Sequence, residues 1–119
     1  LQPFYAVKCN SDPVLLRTLA ALGHGFDCAS RTEIDTMLSM DVSPSRIIYA
    51  NPCKSREYIK HAKKVGVSMV NFDNKEELEK IVECDAVTDK LMLRISVPDP
   101  TVKCRLDLKF GAEPEKLAP

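Results

Sequence analysis

The chain has 119 residues, 45% of them hydrophobic, which suffices for one modest core and not for two. Lys and Arg (17) balance Asp and Glu (17), so no global field selects nucleic acid or an acidic partner, and any basic patch must be local. Apolar runs such as RIIYA and LMLRISV fall far short of the ~20 residues a membrane span needs, which predicts a soluble chain.

The five cysteines, Cys9, Cys28, Cys53, Cys84 and Cys104, form no CxxC pair, and the two histidines add no zinc-ligand spacing, so no metal site is expected. An odd, scattered set reads as reduced thiols and points to the cytoplasm. The chain runs from Leu1 to Leu117-Ala118-Pro119 and reads as an excerpt of a longer protein.

In chain order, PFYAV is a short β-rich run, after which NSDP offers helix caps with Pro13 at a first helical position. Leu15, Leu16, Leu19 and Leu22 recur at helical spacing, and Gly23 suits the left-handed residue that closes a helix. GFDCA reads as a strand. Ser30-Arg31-Thr32-Glu33 has the form of a capping box ahead of Ile34, Met37 and Leu38, in a helix that stops before Ser43-Pro44. Ile47 to Ala50 is strand-like, Ser55 can cap a helix carrying Ile59, Ala62 and Val65, and Gly66 closes it. Val67 to Phe72 gives the fourth strand. Asp73 and Glu76 resemble a second capping box before Leu78, Ile81 and Val82, and Leu91 to Val97 gives a fifth strand, followed by a loop at Pro98, Pro100 and Lys103.

With strand ends at Lys8, Asp27, Ala50, Phe72 and Arg94, the steps are 19, 23, 22 and 22 residues. Such regular alternation predicts an α/β fold with a parallel sheet, because each helical crossover returns the chain to the same sheet direction. A dinucleotide-binding open sheet would announce itself with GxGxxG, and none of the four glycines is so spaced. A (β/α)₈ TIM barrel is therefore expected. A whole barrel takes roughly 250 residues, so about five βα units make an incomplete part of one.

In such a barrel the side chains at the carboxyl ends of the strands converge on one face, where the active site lies. Lys8, Asp27, Asn51, Asp73 and Arg94 all fall there. Asn51 and Asp73 are adequately explained as turn residues. Lys8 and Arg94 are less so, because hydrated cations have no turn-forming role. A lysine beside a carboxylate in a partly dry barrel mouth can shed its proton and attack a carbonyl, forming a Schiff base with an aldehyde such as pyridoxal phosphate.

PFYAVKCN, GFDCASRTEI, IIYANPCK, NFDNKEELEKI and CRLDLKFGA stand in the order, and nearly at the spacing, seen in the eukaryotic-type ornithine decarboxylases, and the chain resembles that family over essentially its whole length. YAVK alone resembles only the wider alanine-racemase-like barrel group. The resemblance implies that residues 1–119 are a partial barrel domain binding pyridoxal 5'-phosphate (PLP), with a carboxyl-terminal β-domain outside this chain. It implies Lys8 as the lysine that holds the cofactor, Asp27 as an active-site carboxylate that also contacts the cofactor, Arg94 as a cofactor-side residue and Glu33 as a further active-site acid. Capping alone would explain Glu33 equally well.

The implied activity is decarboxylation of L-ornithine to putrescine and carbon dioxide in polyamine biosynthesis. Lys109, in KFG, matches a lysine that pairs across a homodimer interface in that family. Lys54, Arg56, Lys60, Lys63 and Lys64 read as one basic helix against the single acid Glu57, and most such faces are merely solvated. The region from Arg56 to Glu79 matches the segment where the regulatory protein antizyme docks on animal enzymes, which makes antizyme a candidate partner. The rival readings are a non-catalytic antizyme inhibitor, which usually departs from the pattern at Asp27 and Arg94, and a sister decarboxylase acting on lysine, arginine or diaminopimelate.

Overall fold

The computed structural model describes residues 2–86, 90–98, 101 and 110–116. Lys103, Cys104 and Lys109 lie outside the described residues.

Each helix begins where a side chain satisfies amide groups that the first turn leaves unpaired. The Asp12 carboxylate accepts from the N–H groups of Val14 and Leu15 at 2.9 and 3.1 Å, and Pro13 opens helix α1 (Pro13–Ala21). Ser30 caps α2 (Arg31–Ser39) and Ser55 caps α3 (Arg56–Lys64), each hydroxyl accepting at 3.2 Å, from the amides of Glu33 and Tyr58. α1 and α3 close on Gly23 and Gly66, whose φ values of +86° and +85° favour glycine. Asp41 and Asp85 take that conformation after α2 and after α4 (Lys75–Glu83), at φ 60° and 50°, so the two remaining helix ends lack the glycine signal.

The strands β1 (Phe4–Ala6), β2 (Gly25–Cys28), β3 (Ile47–Tyr49), β4 (Met69–Phe72) and β5 (Lys90–Leu93) form one parallel sheet in consecutive order. A doubly wound sheet reverses its order near the middle and so covers both faces. Here Phe26, Cys28, Ile47, Tyr49 and Val70 point to one side and pack with Leu16, Ile34, Met37, Ile59, Ala62 and Ile81 of the helices in a single buried cluster. Helices on one face of a consecutive parallel sheet make an arc of barrel wall, as the spacing predicts.

Several boundaries differ from expectation. β4 starts at Met69 rather than Val67, and β5 ends at Leu93, after which Ile95 makes an isolated parallel bridge with Ala112. β1 ends at Ala6, and Lys8 sits in the 3-10 turn Val7–Cys9 that follows it. The capping box at α2 is half formed, because Glu33 accepts from Ala29 N–H at 2.7 Å instead of from its own cap residue. The box at α4 is displaced by one position, with Asn74 accepting from Glu77 N–H at 2.8 Å. That shift turns Glu77 inward, where it is 3% exposed.

Lys54 is no part of the basic helix. It precedes the Ser55 cap and is 2% exposed, folded beneath the loop into a set of acceptors that a surface lysine would not need. Among the described residues no helix is long and apolar enough to cross a membrane.

On the opposite end of the sheet, Arg46 ties β3 to the end of α1. Its guanidinium donates to Ala20 O at 2.8 Å, a carbonyl that also accepts from Gly23 N–H at 3.1 Å, and to His24 O, beyond the helix end, at 2.6 and 3.1 Å. In the complete protein, Arg46→Met should cost roughly 2–3 kcal/mol in urea-induced unfolding, since it removes charge-assisted hydrogen bonds to two part-buried carbonyls. A loss under ~0.5 kcal/mol would show that water replaces the guanidinium.

Candidate active site

Side chains alternate along each strand, so the residues that do not face the helices face the inside of the arc. Asp27 pairs in register with Ala6 and Ile48, and Asn71 with Met92, which puts them on that inner face. Lys8, Asp27, Ile48, Ala50, Asn71, Met92, Leu93 and Arg94 line a cleft of about 370 Å³ on that face, toward the carboxyl ends of the strands. Three of the four candidate residues therefore meet in one place. The fourth, Glu33, does not line the cleft.

Lys8 is exposed at the rim, on a turn pinned by buried Val7 and by Tyr5 Oη, which donates to Asn10 O at 3.2 Å. Arg94 follows β5 directly. Its N–H donates to Phe72 O and its carbonyl accepts from Ala112 N–H, both at 2.8 Å, while the guanidinium lies 5.0 Å from the centre of the Phe110 ring. Asp27 is half-buried. Burial raises its carboxyl above the ordinary value near 3.8, the cations Lys8 and Arg94 oppose that rise, and the charge of Glu33 adds to it. Among the described residues, Asp27 Oδ1 has no hydrogen-bond partner.

Asn51 and Asp73 act locally. Asn51 Nδ2 donates to Ala29 O at 3.1 Å and its Oδ1 accepts from Cys53 N–H at 3.0 Å, joining the loops after β2 and β3. The Asp73 carboxylate accepts from Gly111 N–H at 3.1 Å. Cys28, beneath Asp27 on the helix side, is buried and its thiol is pushed up to about 12, first by desolvation and then by Glu33 and Asp27, which leaves it unreactive.

Sequence reasoning missed two contributors. Lys54 Nζ donates to Asn51 O at 2.8 Å and to Asn71 O at 2.6 Å and lies 2.9 Å from Glu77 Oε1. Lys80 Nζ completes the cluster at 2.6 Å from Glu77 Oε2. Burial alone would raise the Glu77 carboxyl, yet the hydrogen bonds from Lys80 and Lys54 hold it below its usual range. The second is Asn71, 9% exposed, whose Oδ1 lacks a partner among the described residues. A polar residue inside the run VSMVNF was a readable signal.

The chain matches the family described as pyridoxal-dependent decarboxylase, pyridoxal binding domain, over residues 1–119. It belongs to the pyridoxal-dependent decarboxylases. It is 56% identical to an ornithine decarboxylase of Caenorhabditis elegans over 119 residues, all of this chain and 28% of that protein. It is 50% identical to antizyme inhibitor 2 of Xenopus laevis over 112 residues, 94% of this chain and 24% of that protein. The arginine decarboxylase of Paramecium bursaria Chlorella virus, solved with agmatine bound, superposes with a TM-score of 0.92 at 42% identity, covering 98% of this chain and 32% of its own. The chain thus spans about 28% of the length of a curated relative it matches.

The cleft of this pyridoxal-binding domain fits pyridoxal phosphate chemically. An amine stands at its rim, a carboxylate oxygen and an amide oxygen on its wall lack partners among the described residues, and a guanidinium offers charge to an anion.

The direction of the Asp27 shift carries a pH signature. A carboxyl whose folded value is raised favours folding below its unfolded value near 3.8, and that contribution is lost as pH rises through the folded value. At neutral pH the ionised side chain therefore costs stability. Asp27→Asn should raise the melting temperature of the complete apoprotein at pH 7 and leave it nearly unchanged at pH 3.5. Equal effects at both pH values would show that hydrogen bonding, not charge, sets the difference.

Proposed function

We propose that the complete protein decarboxylates L-ornithine to putrescine and carbon dioxide, in polyamine biosynthesis, with pyridoxal phosphate held in this cleft. The observation that supports it is the meeting of Lys8, Asp27 and Arg94 on one wall of a pyridoxal-binding domain. The cofactor supplies an aldehyde that condenses with amines and a protonated ring that accepts the electron pair released when a carboxylate leaves as carbon dioxide.

In this reading Lys8 is the amine that holds the cofactor and yields its place to the substrate amine. Lys8 stands exposed on the turn that follows β1, within reach of the cleft it lines. Asp27 exchanges a proton with that amine, a task for which a raised carboxyl is suited. Arg94 sets a fixed positive charge opposite an anionic group of the cofactor or substrate. Glu33 works through the backbone, holding Ala29, two residues beyond Asp27. Groups for the phosphate, the ring nitrogen and the returning proton, together with the remaining barrel strands and the β-domain, are assigned to parts of the protein beyond this chain.

Borohydride reduction of the complete protein loaded with pyridoxal phosphate should fix the label on Lys8, and Lys8→Ala should abolish labelling and lower turnover by 10³-fold or more. Label on another lysine would remove Lys8 from the role. The relationship to antizyme inhibitor 2 favours one alternative, a non-catalytic regulator, which would show no carbon dioxide release from labelled ornithine.

A homodimer with Lys109 near its interface and an antizyme-docking segment from Arg56 to Glu79 belong to the same proposal. On α3, Arg56 pairs with Glu83, and Lys63 lies 2.6 Å from Asp85 Oδ2, so much of its charge is already met within the chain. Lys60 and Lys64 are exposed and remain to steer an acidic partner. Charge reversal at Lys60 and Lys64 together should weaken antizyme binding severalfold at low salt and flatten its salt dependence, with decarboxylation unaltered. Unchanged binding would make α3 an ordinary solvated face.

A further inference from the structure

We infer that Asn71 is a ligand-binding residue of the cleft, its amide oxygen accepting a hydrogen bond from an N–H or O–H group of the bound cofactor or of the substrate beside it. The inner face around Asn71 is otherwise apolar, with Ile48, Ala50 and Met92 as fellow lining residues. A leucine-sized apolar side chain would fill that position at no polar cost. Asn71 is instead 9% exposed, lines the cleft, and carries an Oδ1 without a hydrogen-bond partner among the described residues. Buried amide oxygens are nearly always paired, so an orphan aimed into a binding cleft marks a group awaiting a donor.

The residue is also held unusually well from behind. Its carbonyl accepts from the Lys54 ammonium at 2.6 Å, and Lys54 is itself fixed by Glu77 at 2.9 Å. Parallel pairing with Met92 fixes the other flank. The side chain consequently has a rigid base, which is what a group must have if it is to meet a ligand without first being ordered. Two donors match the chemistry: the hydroxyl on the pyridoxal ring and the ammonium groups of a diamino acid or diamine.

The inference rests on the pyridoxal-binding reading of the cleft, and the experiment separates the two. The complete protein is stripped of cofactor, and the wild type and Asn71→Leu are compared by thermal melting, by titration with pyridoxal phosphate and, after loading, by titration with putrescine. Removing an unpaired buried amide should leave the melting temperature of the apoprotein equal or higher, while the dissociation constant for pyridoxal phosphate or for putrescine rises about tenfold. A rise in the first assigns the ring hydroxyl as donor, and a rise only in the second assigns an ammonium. Constants within threefold of wild type in both titrations would overturn the inference. So would a weakened affinity accompanied by a lowered melting temperature, because the amide would then be holding the wall. Should Asn71→Leu not fold, Asn71→Ala carries the test on the dissociation constants alone. Wild-type apoprotein that fails to take up pyridoxal phosphate would instead sink the reading of the cleft.

Discussion

The arrangement of the cleft depends on one buried charge. Lys54 is removed from water with a side chain 0% exposed, against a Glu77 side chain 3% exposed, and a lone ammonium in that position would not be tolerated. It is tolerated because every direction from Nζ is used: two backbone carbonyls, one carboxylate, and the face of the Tyr49 ring 5.7 Å away. Those acceptors come from the loop after β3, from β4 and from α4. A single cation thus fixes the carboxyl ends of two strands against the helix that follows them. Breaking one partner of such a pair costs ~3–5 kcal/mol, whereas the exposed pairs on α2 and α3 contribute ~1 kcal/mol or less each.

The two faces of the sheet divide the work. Toward the helices the strands pack chiefly by shape and hydrophobicity: Phe26, Cys28 and Ile47 are 0% exposed, as are Ile34, Met37 and Ile81 of the helices opposite. Toward the inside of the arc they offer Asp27, Asn71 and Arg94 among apolar neighbours. Because alternate residues serve opposite faces, the inner set can change without touching the packed set.

What could be read from the sequence was whatever had a local chemical cause. Asp12-Pro13, Ser30, Ser55, Gly23 and Gly66 punctuate the chain because unpaired amides and left-handed turns demand those residue types, and the βα alternation followed from them. Lys8, Asp27 and Arg94 were legible as strand-end residues sharing one face of a barrel, together with Asn51 and Asp73, and only the family resemblance singled the three out. The unread part was long-range. Lys54 looks like a surface cation beside a helix, and only the turn of α4 by one residue, putting Glu77 rather than Glu76 inward, gives it a partner 23 positions away. Asp41 and Asp85 closed helices without a glycine, because an aspartate side chain can bear the positive φ.

Lys8, Asp27 and Arg94 come from the first, second and fifth strand units, so their meeting is a property of the whole arc rather than of any one loop. Each pairing between them must keep its register, since a slip of one residue would turn Asp27 or Asn71 to the helix side and bring Phe26 or Val70 into the cleft. Burying an ionised carboxylate among the helices would then oppose the slip, and so would exposing Phe26. The polar residues of the inner face consequently hold the strands in register as well as lining the cleft. A neutral, wholly apolar inner face would pack as well and specify register less sharply. That is a physical reason for a half-buried aspartate with a raised carboxyl to persist in the middle of β2.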